Sequence, residues 1–398
     1  MKLLIYDWTF ITKKDLYHTL DIQKIDYDLF HSGASPRIDS QREEFKKNIA
    51  ATLDKKKYDA IFSINFYEDL AYAANNKDIL YICWTYDSPA LGMIRPCHIL
   101  DTNRIFIFDS YEYLTFKEQG IPHVYYMPLA VDVQKLNNMK PSPQQQLKYR
   151  SDVSFVGQLY QSDMDKIFPL FDEYSAGYVA AIINTQLNIY GSYIIDDLVN
   201  DHVINELCNE QVKQALLKNI NDRFLHDVNE LRSYGFNMFL AKAVTNKERV
   251  LLLTLLARYF NVKHYAPGKA NMPNVKECGV IDYETTMPLV FKCSRINLNI
   301  TLRTIRHGIP QRVIDILGCH ALAVTNYQPD LLEYFEDEKN ILIYSSLEEA
   351  LDKCKYYLSH DKEAEQIRNN GYKIVKDQFN YACQLDKIWK LSGIVGTI

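Results

Sequence analysis

The residues best suited to chemistry lie between Ile305 and Thr325, where a polar loop precedes a predicted short helix, a tight turn and a buried strand. Free N–H groups and the helix dipole make a helix N-terminus a favourable place for anions. Arg306 and Arg312 flank the start of this helix, and Asp315 follows about one helical turn after Arg312. The pattern predicts that the arginines bind a diphosphate and that the acid binds hydroxyl groups, as a nucleotide diphosphate sugar requires.

Other candidate donor-binding residues lie on the same loop or just after predicted strands, at the edge where doubly wound sheets bind ligands. Arg303 and His307 belong to the loop, and either can contact phosphate or hydroxyl groups. Gly157 allows close approach of the backbone to a ligand, while Tyr283 can stack near a base and Asn326 can contact the donor. These residues also have purely structural interpretations. Gly157 can form a plain turn, His307 can be an exposed loop residue, and a loop arginine can pair with a surface acid.

The N-terminal half contains the candidates for an acceptor site. If the anomeric centre is inverted, the attacking hydroxyl group needs a base, and a positioned carboxylate can take its proton. Asp87 and Asp7 each follow a predicted strand and are the catalytic candidates. Trp84 and Tyr86 are predicted to form a wall on which an acceptor sugar stacks. A helix cap or a turn aspartate is the alternative interpretation of each acid.

Short apolar segments alternate with longer helical stretches, which is typical of parallel sheets covered by helices. Residues 1–140 are predicted to form a doubly wound domain. Its predicted strands are 2–6, 27–30, 60–64, 79–84, 104–108 and 124–127, and its main helices are 41–53 and 67–74.

Two prolines and a polar run predict a linker at 141–150, followed by a second such domain at 151–378 that starts with a strand at 152–157. A helical insertion is predicted at about 162–260, where Thr245 and Glu248 form a capping box for a helix over 249–260. Two domains in sequence predict a ligand site in the cleft between them. The remaining strands are predicted at 262–266, 279–281, 296–300, 321–325 and 341–344.

Composition excludes several classes of protein. The 398 residues carry a net charge of −5 without a dense Lys/Arg stripe, which argues against nucleic-acid binding. Eight cysteines without a CxxC pair predict buried thiols in a reducing compartment and no zinc site. Asp7 ends the first apolar run too early for a signal peptide, and no apolar stretch is long enough to span a membrane. These features predict a cytoplasmic protein.

Several motifs resemble the CgeB-like (spore maturation protein) group of glycosyltransferases. The C-terminal motifs are NLNI at 297–300, GIPQRVIDILG at 308–318 and TNYQPDL at 325–331, supported by YYL at 356–358 and NNGY at 369–372. The segment DVSFVGQ at 152–158 is similar to the first strand of the group's donor domain. The N-terminal motifs WTYDSP at 84–89 and MPLAVD at 127–132 are similar to the domain that usually accompanies it.

The resemblance implies a GT-B fold, with two Rossmann-like doubly wound domains facing a cleft and the nucleotide sugar held mainly by the second. It also implies catalysis without a metal, and a last helix, 379–398, that returns to the N-terminal domain. Many donor domains of this fold carry a Glu at the loop start and another eight positions on, and His307 and Asp315 occupy these positions.

The predicted function is transfer of a sugar from a UDP-, GDP- or dTDP-sugar, a co-substrate rather than a cofactor, to a glycan or protein acceptor. Two alternatives remain open from the sequence. One is a sugar-nucleotide epimerase of the same fold, and the other is a catalytically silent module that binds nucleotide sugars. The base of the nucleotide, the sugar, the acceptor and the stereochemistry are not specified by the sequence.

Overall fold

The structure, a computed structural model, describes residues 1–94, 96–219 and 228–394, and the chain divides into two compact units. The first unit contains residues 1–132 and 378–394, and the second contains the other described residues, 133–219 and 228–377.

The first unit is built on a six-stranded parallel sheet. Its strands are short, and all five residues of the third strand are buried, as expected for a parallel sheet with both faces covered. Along the chain the elements are β1 (Lys2–Tyr6), α1 (Lys13–Ile22), β2 (Asp26–Phe30), α2 (Asp39–Lys55), β3 (Ala60–Ile64), α3 (Glu68–Asn76), β4 (Leu80–Trp84), β5 (Asn103–Ile107), α4 (Ser110–Glu118) and β6 (Val124–Tyr126).

The strand order in this sheet is β2-β1-β3-β4-β5-β6, and all pairings are parallel. Phe45 of α2 and Leu70 of α3 pack on one face of the sheet. Leu16 of α1 packs on the other. The chain leaves β1 for β2 on one side and then crosses to β3 on the other, so the topological switch point lies between β1 and β3.

The second unit has the same design with more helices. Its elements are α5 (Val133–Asn138), α6 (Pro143–Tyr149), β7 (Ser151–Val156), α7 (Gln161–Ile167), α8 (Glu173–Leu187), α9 (Ile195–Leu198), α10 (Asp201–Leu207), α11 (Glu210–Asn219), α12 (Val228–Leu256), β8 (Val262–Tyr265), β9 (Lys276–Glu277), α13 (Met287–Cys293), β10 (Ser294–Asn299), α14 (Gln311–Gly318), β11 (Ala323–Asn326), β12 (Leu342–Tyr344), α15 (Leu347–Ser359) and α16 (Asp361–Gln378). The final helix, α17 (Tyr381–Ser392), packs in the first unit through Leu385 and Trp389.

The second sheet has the order β12-β11-β10-β7-β8-β9, again with parallel pairings only. Its switch point therefore lies between β7 and β10. Leu253 of α12 and Cys354 of α15 pack on the sheet. The helices between β7 and β8 also form a core of their own, in which Ile182 of α8 and Leu240 of α12 are buried. Two parallel sheets with helices on both sides confirm the predicted α/β fold class.

The structure corrects the predicted linker at 141–150. Its prolines do not break the chain, because Pro143 occupies the first turn of α6, where a missing N–H costs nothing. Ser142 accepts a hydrogen bond from the backbone N–H of Gln145, and the Gln145 side chain accepts one from Ser142, which completes a capping box. The segment is a capped helix and belongs to the second unit.

Two further local predictions were wrong. Thr245 does not cap a helix, because it lies inside α12 and its hydroxyl donates to the carbonyl oxygen of Ala241 at 2.8 Å. Residues 279–281 do not form a strand. Gly279 has a φ of +76°, which is incompatible with extended backbone, and the edge strand is the two-residue β9.

Candidate functional site

The predicted anion site is built by the connection between β10 and β11 in the second unit. Pro310, with φ −70° and ψ 150°, ends the loop and leads directly into α14. Val313 and Leu317 bury one side of this helix, and this packing fixes the direction in which its first turn points. The residues that follow pass through a turn at His320, whose φ is +59°, into the buried β11.

Asp315 is the centre of a polar cluster in the first turns of α14. The carboxylate is only 2% exposed. Its Oδ1 accepts hydrogen bonds from the Tyr283 hydroxyl and from Nε2 of Gln311, both at 2.9 Å, and its Oδ2 lies 3.1 Å from Nη1 of Arg312. Burial raises the pKa of Asp315, while Arg312, Gln311 and Tyr283 act in the opposite direction. The carboxylate thus fixes three side chains that reach the start of α14.

The Arg312 guanidinium contacts Asp315 through only one of its nitrogens, Nη1. Its side chain is 24% exposed and lies between the rings of Tyr283 and Phe291, with centroid distances of 5.9 and 5.8 Å. Nη1 also contacts the sulfur of Met287. Among the described residues, only Nη1 of Arg312 forms hydrogen bonds, so Nε and Nη2 are available to an anion. A planar guanidinium with two available nitrogens can hold a phosphate group.

The structure places Arg303 in a different environment from Arg312. Arg303 is buried, and its Nη2 donates to Glu248 of α12 at 2.8 Å. Its guanidinium lies over the ring of Tyr190, 4.4 Å from the centroid. Glu248 is fully buried and also accepts hydrogen bonds from the hydroxyls of Tyr190 and Tyr344 at 3.0 Å. Arg303 therefore fixes the loop, and its donor-binding role stays a prediction.

Arg306 and His307 lie further along the same loop. Arg306 pairs with Asp196 of α9, and its guanidinium lies 4.3 Å from the centroid of the Tyr193 ring. His307 is half-buried, and its carbonyl oxygen accepts a hydrogen bond from the N–H of Asp330 at 3.1 Å. Both residues lie in the connection that leads to α14, so the structure brings Arg306, His307, Arg312 and Asp315 onto one loop–helix segment.

Gly157 and Asn326 both end strands at the carboxyl edge of the second sheet. A Cβ on Gly157 would lie 2.8 Å from the end of the Phe155 ring, so a larger residue there would require that ring to shift. The Asn326 side chain is fully buried, and its Oδ1 accepts a hydrogen bond from the N–H of Thr301 at 2.8 Å. Nδ2 of Asn326 has no hydrogen-bond partner among the described residues. A buried donor without a partner marks a place where a ligand or water can bind.

In the first unit, the structure distinguishes the two candidate bases. Asp87 is exposed, and its Oδ2 accepts a hydrogen bond from Nδ2 of Asn65 at 2.7 Å. Asn65 follows β3 with a φ of +66°, and its Oδ1 accepts from the backbone N–H of Tyr86 at 2.7 Å, which fixes the loop after β4. Surrounding protein raises the pKa of Asp87, while Arg37 and Asn65 act to lower it.

Asp7 is held in a much more closed environment. Its side chain is 4% exposed, and Oδ1 accepts a hydrogen bond from the Tyr17 hydroxyl at 2.8 Å and pairs with Lys13. Oδ2 lies 2.8 Å from Nδ1 of His31. Both oxygens are therefore occupied, whereas the described contacts of Asp87 leave Oδ1 available. The geometry favours Asp87 as a proton acceptor.

The predicted aromatic wall requires a correction. Trp84 is 0% exposed because β4 is an inner strand, and its side chain packs in the core formed with α17. Its Nε1 donates to the carbonyl oxygen of Met127 at 3.3 Å. Tyr86 is half-buried, and its hydroxyl lies 2.8 Å from that of Tyr381. Trp84 is thus a core residue that cannot stack on an acceptor sugar.

Sequence reasoning missed three residues that organise these edges: Asn65, Glu248 and Arg249. Asn65 follows β3 and could have been noticed, because Asn tolerates the left-handed conformation. Glu248 and Arg249 lie in the middle of α12, and nothing in their local sequence marks them as neighbours of a loop more than fifty residues away.

Among the described residues, no group of three or more His, Cys, Asp or Glu side chains is placed to hold a metal ion. None of the helices that the structure describes is long and apolar enough to cross a membrane.

A comparison with known protein families matches part of the chain. Residues 238–390, which include α14 and its polar cluster, match the family described as glycosyl transferase-like. No curated protein sequence matches the chain.

Solved structures are similar over nearly the whole chain, at low sequence identity. Sucrose-phosphate synthase from Thermosynechococcus elongatus has a TM-score of 0.58 at 9% identity and covers 98% of each chain. HepE of Anabaena in complex with UDP-glucose has a TM-score of 0.55 at 11% identity and covers 99% of this chain and 100% of its own. An alpha-glucosyltransferase in complex with UDP-glucose and DNA containing an abasic site has a TM-score of 0.55 at 10% identity, with 99% of each chain covered.

The fold and the family match agree with each other. The two Rossmann-like parallel sheets are the GT-B architecture, and residues 238–390 match a glycosyl transferase-like family.

Proposed function

We propose that this protein is a glycosyltransferase that moves a sugar from a nucleotide diphosphate sugar to a glycan or protein acceptor without a metal ion, and that it belongs to the CgeB-like group. The supporting observation is the cluster at the start of α14, where buried Asp315 orients Arg312 with two nitrogens available. Leaving-group departure builds negative charge on the diphosphate. A preorganised guanidinium and helix N-terminus lower the energy of that charge more than that of the intact donor.

In this proposal Arg312 binds the diphosphate, with Arg306 and His307 on the preceding loop as further contacts. Tyr283 and Asn326 contact the nucleotide or the sugar, and Asp315 orients Arg312 and Tyr283. UDP is the first nucleotide to test, because HepE and the alpha-glucosyltransferase were each solved with UDP-glucose. Asp87 serves as the base that takes the acceptor proton, since it is exposed and has an oxygen available.

Calorimetry with UDP, GDP, dTDP, CDP and their common sugar conjugates, in the presence of a chelator, tests the donor site. We expect one diphosphate to bind clearly, and its nucleoside to bind much more weakly. A thermal-shift series with Mg²⁺ or Mn²⁺ added then tests metal independence. An affinity that appears only with the metal would contradict that part of the proposal.

Activity is tested by following the donor with and without candidate glycan or protein acceptors. Acceptor-dependent release of the nucleoside diphosphate supports glycosyl transfer. Conversion of the donor sugar without an acceptor would instead favour an epimerase. Tight binding without turnover under any condition would favour a silent nucleotide-sugar module, a possibility that arises because His307 stands where many donor domains have a Glu.

A further inference from the structure

Arg249 is a buried cation at the switch point of the second sheet. It lies on α12, is 6% exposed, and its guanidinium reaches the carboxyl edge of the sheet. Nε donates to the carbonyl oxygen of Ile300 at 3.2 Å, and Nη2 donates to the same oxygen. Nη1 donates to the carbonyl oxygen of Gln158. Through these hydrogen bonds, the Arg249 side chain links the segment after β10 to the segment after β7.

These two strands border the switch point, where open α/β sheets bind their ligands. The same segment is held from the other side, because Asn326 Oδ1 accepts from the N–H of Thr301. The peptide between Ile300 and Thr301 is thus fixed by a cation and an amide. Since this peptide begins the connection to α14, Arg249 determines where that connection starts.

No carboxylate among the described residues forms an ion pair with Arg249. The guanidinium lies 5.2 Å from the ring centroids of Phe155 and Tyr160. The adjacent acid, Glu248, is bound to Arg303. In the described part of the chain, two buried arginines, Arg249 and Arg303, and one buried acid, Glu248, therefore leave one net positive charge at this edge. The titratable and charged groups that face Arg249 are Tyr160, Glu248, Tyr344 and His264.

Burial lowers the pKa of Arg249, since removing a cation from water disfavours its charged form. An anion bound at this edge of the sheet would stabilise the charged form of Arg249 and so offset the cost of burying it. A nucleoside diphosphate is such an anion, whereas a nucleoside is not.

We propose that Arg249 is a positioning residue for the donor diphosphate: it ties the ends of β7 and β10 together and supplies an unneutralised buried positive charge to the switch point. The inference rests on the proposed function, because it takes a nucleotide diphosphate sugar as the ligand. It assigns to α12 a role in donor binding that acts through the two strand-end segments and through charge.

The test is Arg249→Lys, compared with wild type for UDP and uridine binding by calorimetry between pH 7 and 9.5. A buried lysine can lose its proton in this range, because burial lowers a lysine pKa by up to several units, whereas arginine stays charged. We expect the UDP affinity of the variant to fall by about tenfold as pH rises. Wild-type UDP affinity and uridine binding by both proteins should change little. Arg295→Lys, at a solvent-exposed pair with Asp361, is the control for the Arg-to-Lys change and should behave as wild type.

The possible results distinguish a failure of this inference from a failure of the proposed function. Wild type that binds no nucleoside diphosphate would refute the proposed function and this inference together. Wild type that binds UDP, beside an Arg249→Lys variant with unchanged affinity at every pH, would refute the inference alone. Equal, pH-independent losses for UDP and uridine would assign Arg249 a purely structural role and also overturn it.

If the variant does not fold, hydrogen exchange of the wild-type protein decides. UDP should then protect the backbone amides that follow both β7 and β10. Unchanged exchange in both segments at saturating UDP would overturn the inference.

Discussion

Replacing Arg312 by alanine should weaken binding of a nucleoside diphosphate far more than binding of the nucleoside. A hydrogen bond to a charged group contributes about 1.5–3 kcal/mol. Because Arg312 is 24% exposed, solvent screening places the expected loss near the lower end, about 1.5–2 kcal/mol. This corresponds to roughly 10- to 30-fold weaker UDP binding. Uridine affinity should change by less than about twofold, since uridine lacks the charge that Arg312 binds.

The same substitution removes the cation that faces Asp315. Breaking a buried ion pair costs about 3–5 kcal/mol, but Tyr283 and Gln311 continue to donate to this carboxylate, so we expect about 2 kcal/mol. The pKa of Asp315, already raised by burial, should rise further. A group with a raised folded-state pKa stabilises the fold at low pH and loses that contribution as pH rises through the folded value. The variant should therefore be least stable relative to wild type above that pKa.

Isothermal calorimetry with UDP and uridine, together with urea unfolding at several pH values, measures both effects. Arg295→Ala is the control, because Arg295 also pairs with an acid, Asp361, away from α14. Equal losses of UDP and uridine affinity in Arg312→Ala would mean that the residue only maintains the local structure. That result would remove Arg312 from the diphosphate site.

Three further substitutions test the other assignments. Asp87→Asn should reduce the transfer rate at least about 100-fold with donor affinity nearly unchanged. Wild-type transfer should increase as pH rises through the raised pKa of Asp87, because the base must be deprotonated. Unchanged transfer by the variant in a pH-rate series would assign the role to Asp7 or to the substrate. Glu248→Gln should destabilise the protein by about 3 kcal/mol in urea unfolding, because Arg303 loses its buried partner. A change below about 0.5 kcal/mol would show that the Glu248–Arg303 pair does not stabilise the fold. Trp84→Phe should lower the free energy of unfolding by about 1–2 kcal/mol and leave the acceptor KM unchanged. A raised KM without a loss of stability would instead support the predicted role of Trp84 in stacking on the acceptor sugar.

The fold was predictable because its signals are periodic and local. Short runs such as AIFSI at 60–64 can be satisfied only in a sheet that is buried on both faces, and the helical stretches between them impose parallel connections. The predictions failed where one local signal was read without its context. Pro143 indicated a linker but starts a capped helix, and Thr245 suggested a helix start but lies within a long helix.

The candidate site was predictable to the extent that it is continuous in sequence. Arg312 and Asp315 are three positions apart on one helix, so their contact follows from helical geometry. Tyr283 reaches the same carboxylate from a loop 32 residues earlier, and no local pattern predicts that hydrogen bond. The burial of Trp84 likewise depends on α17, which lies nearly 300 residues further along the chain. Such tertiary packing decides whether an aromatic side chain after a strand is a binding surface or part of the core.

The helix α12 explains why the loop before α14 has a defined course. Thr245, Glu248 and Arg249 are spaced so that they share one face of this helix. The Thr245 hydroxyl accepts from the N–H of Arg303 at 3.0 Å, Glu248 binds the Arg303 guanidinium, and Arg249 binds the carbonyl of Ile300. The loop over residues 300–310, eleven residues long, would otherwise lose much conformational entropy on binding a ligand. Because α12 already holds its first residues, that cost is met during folding, and Arg312 can be presented to an anion without further ordering of the chain.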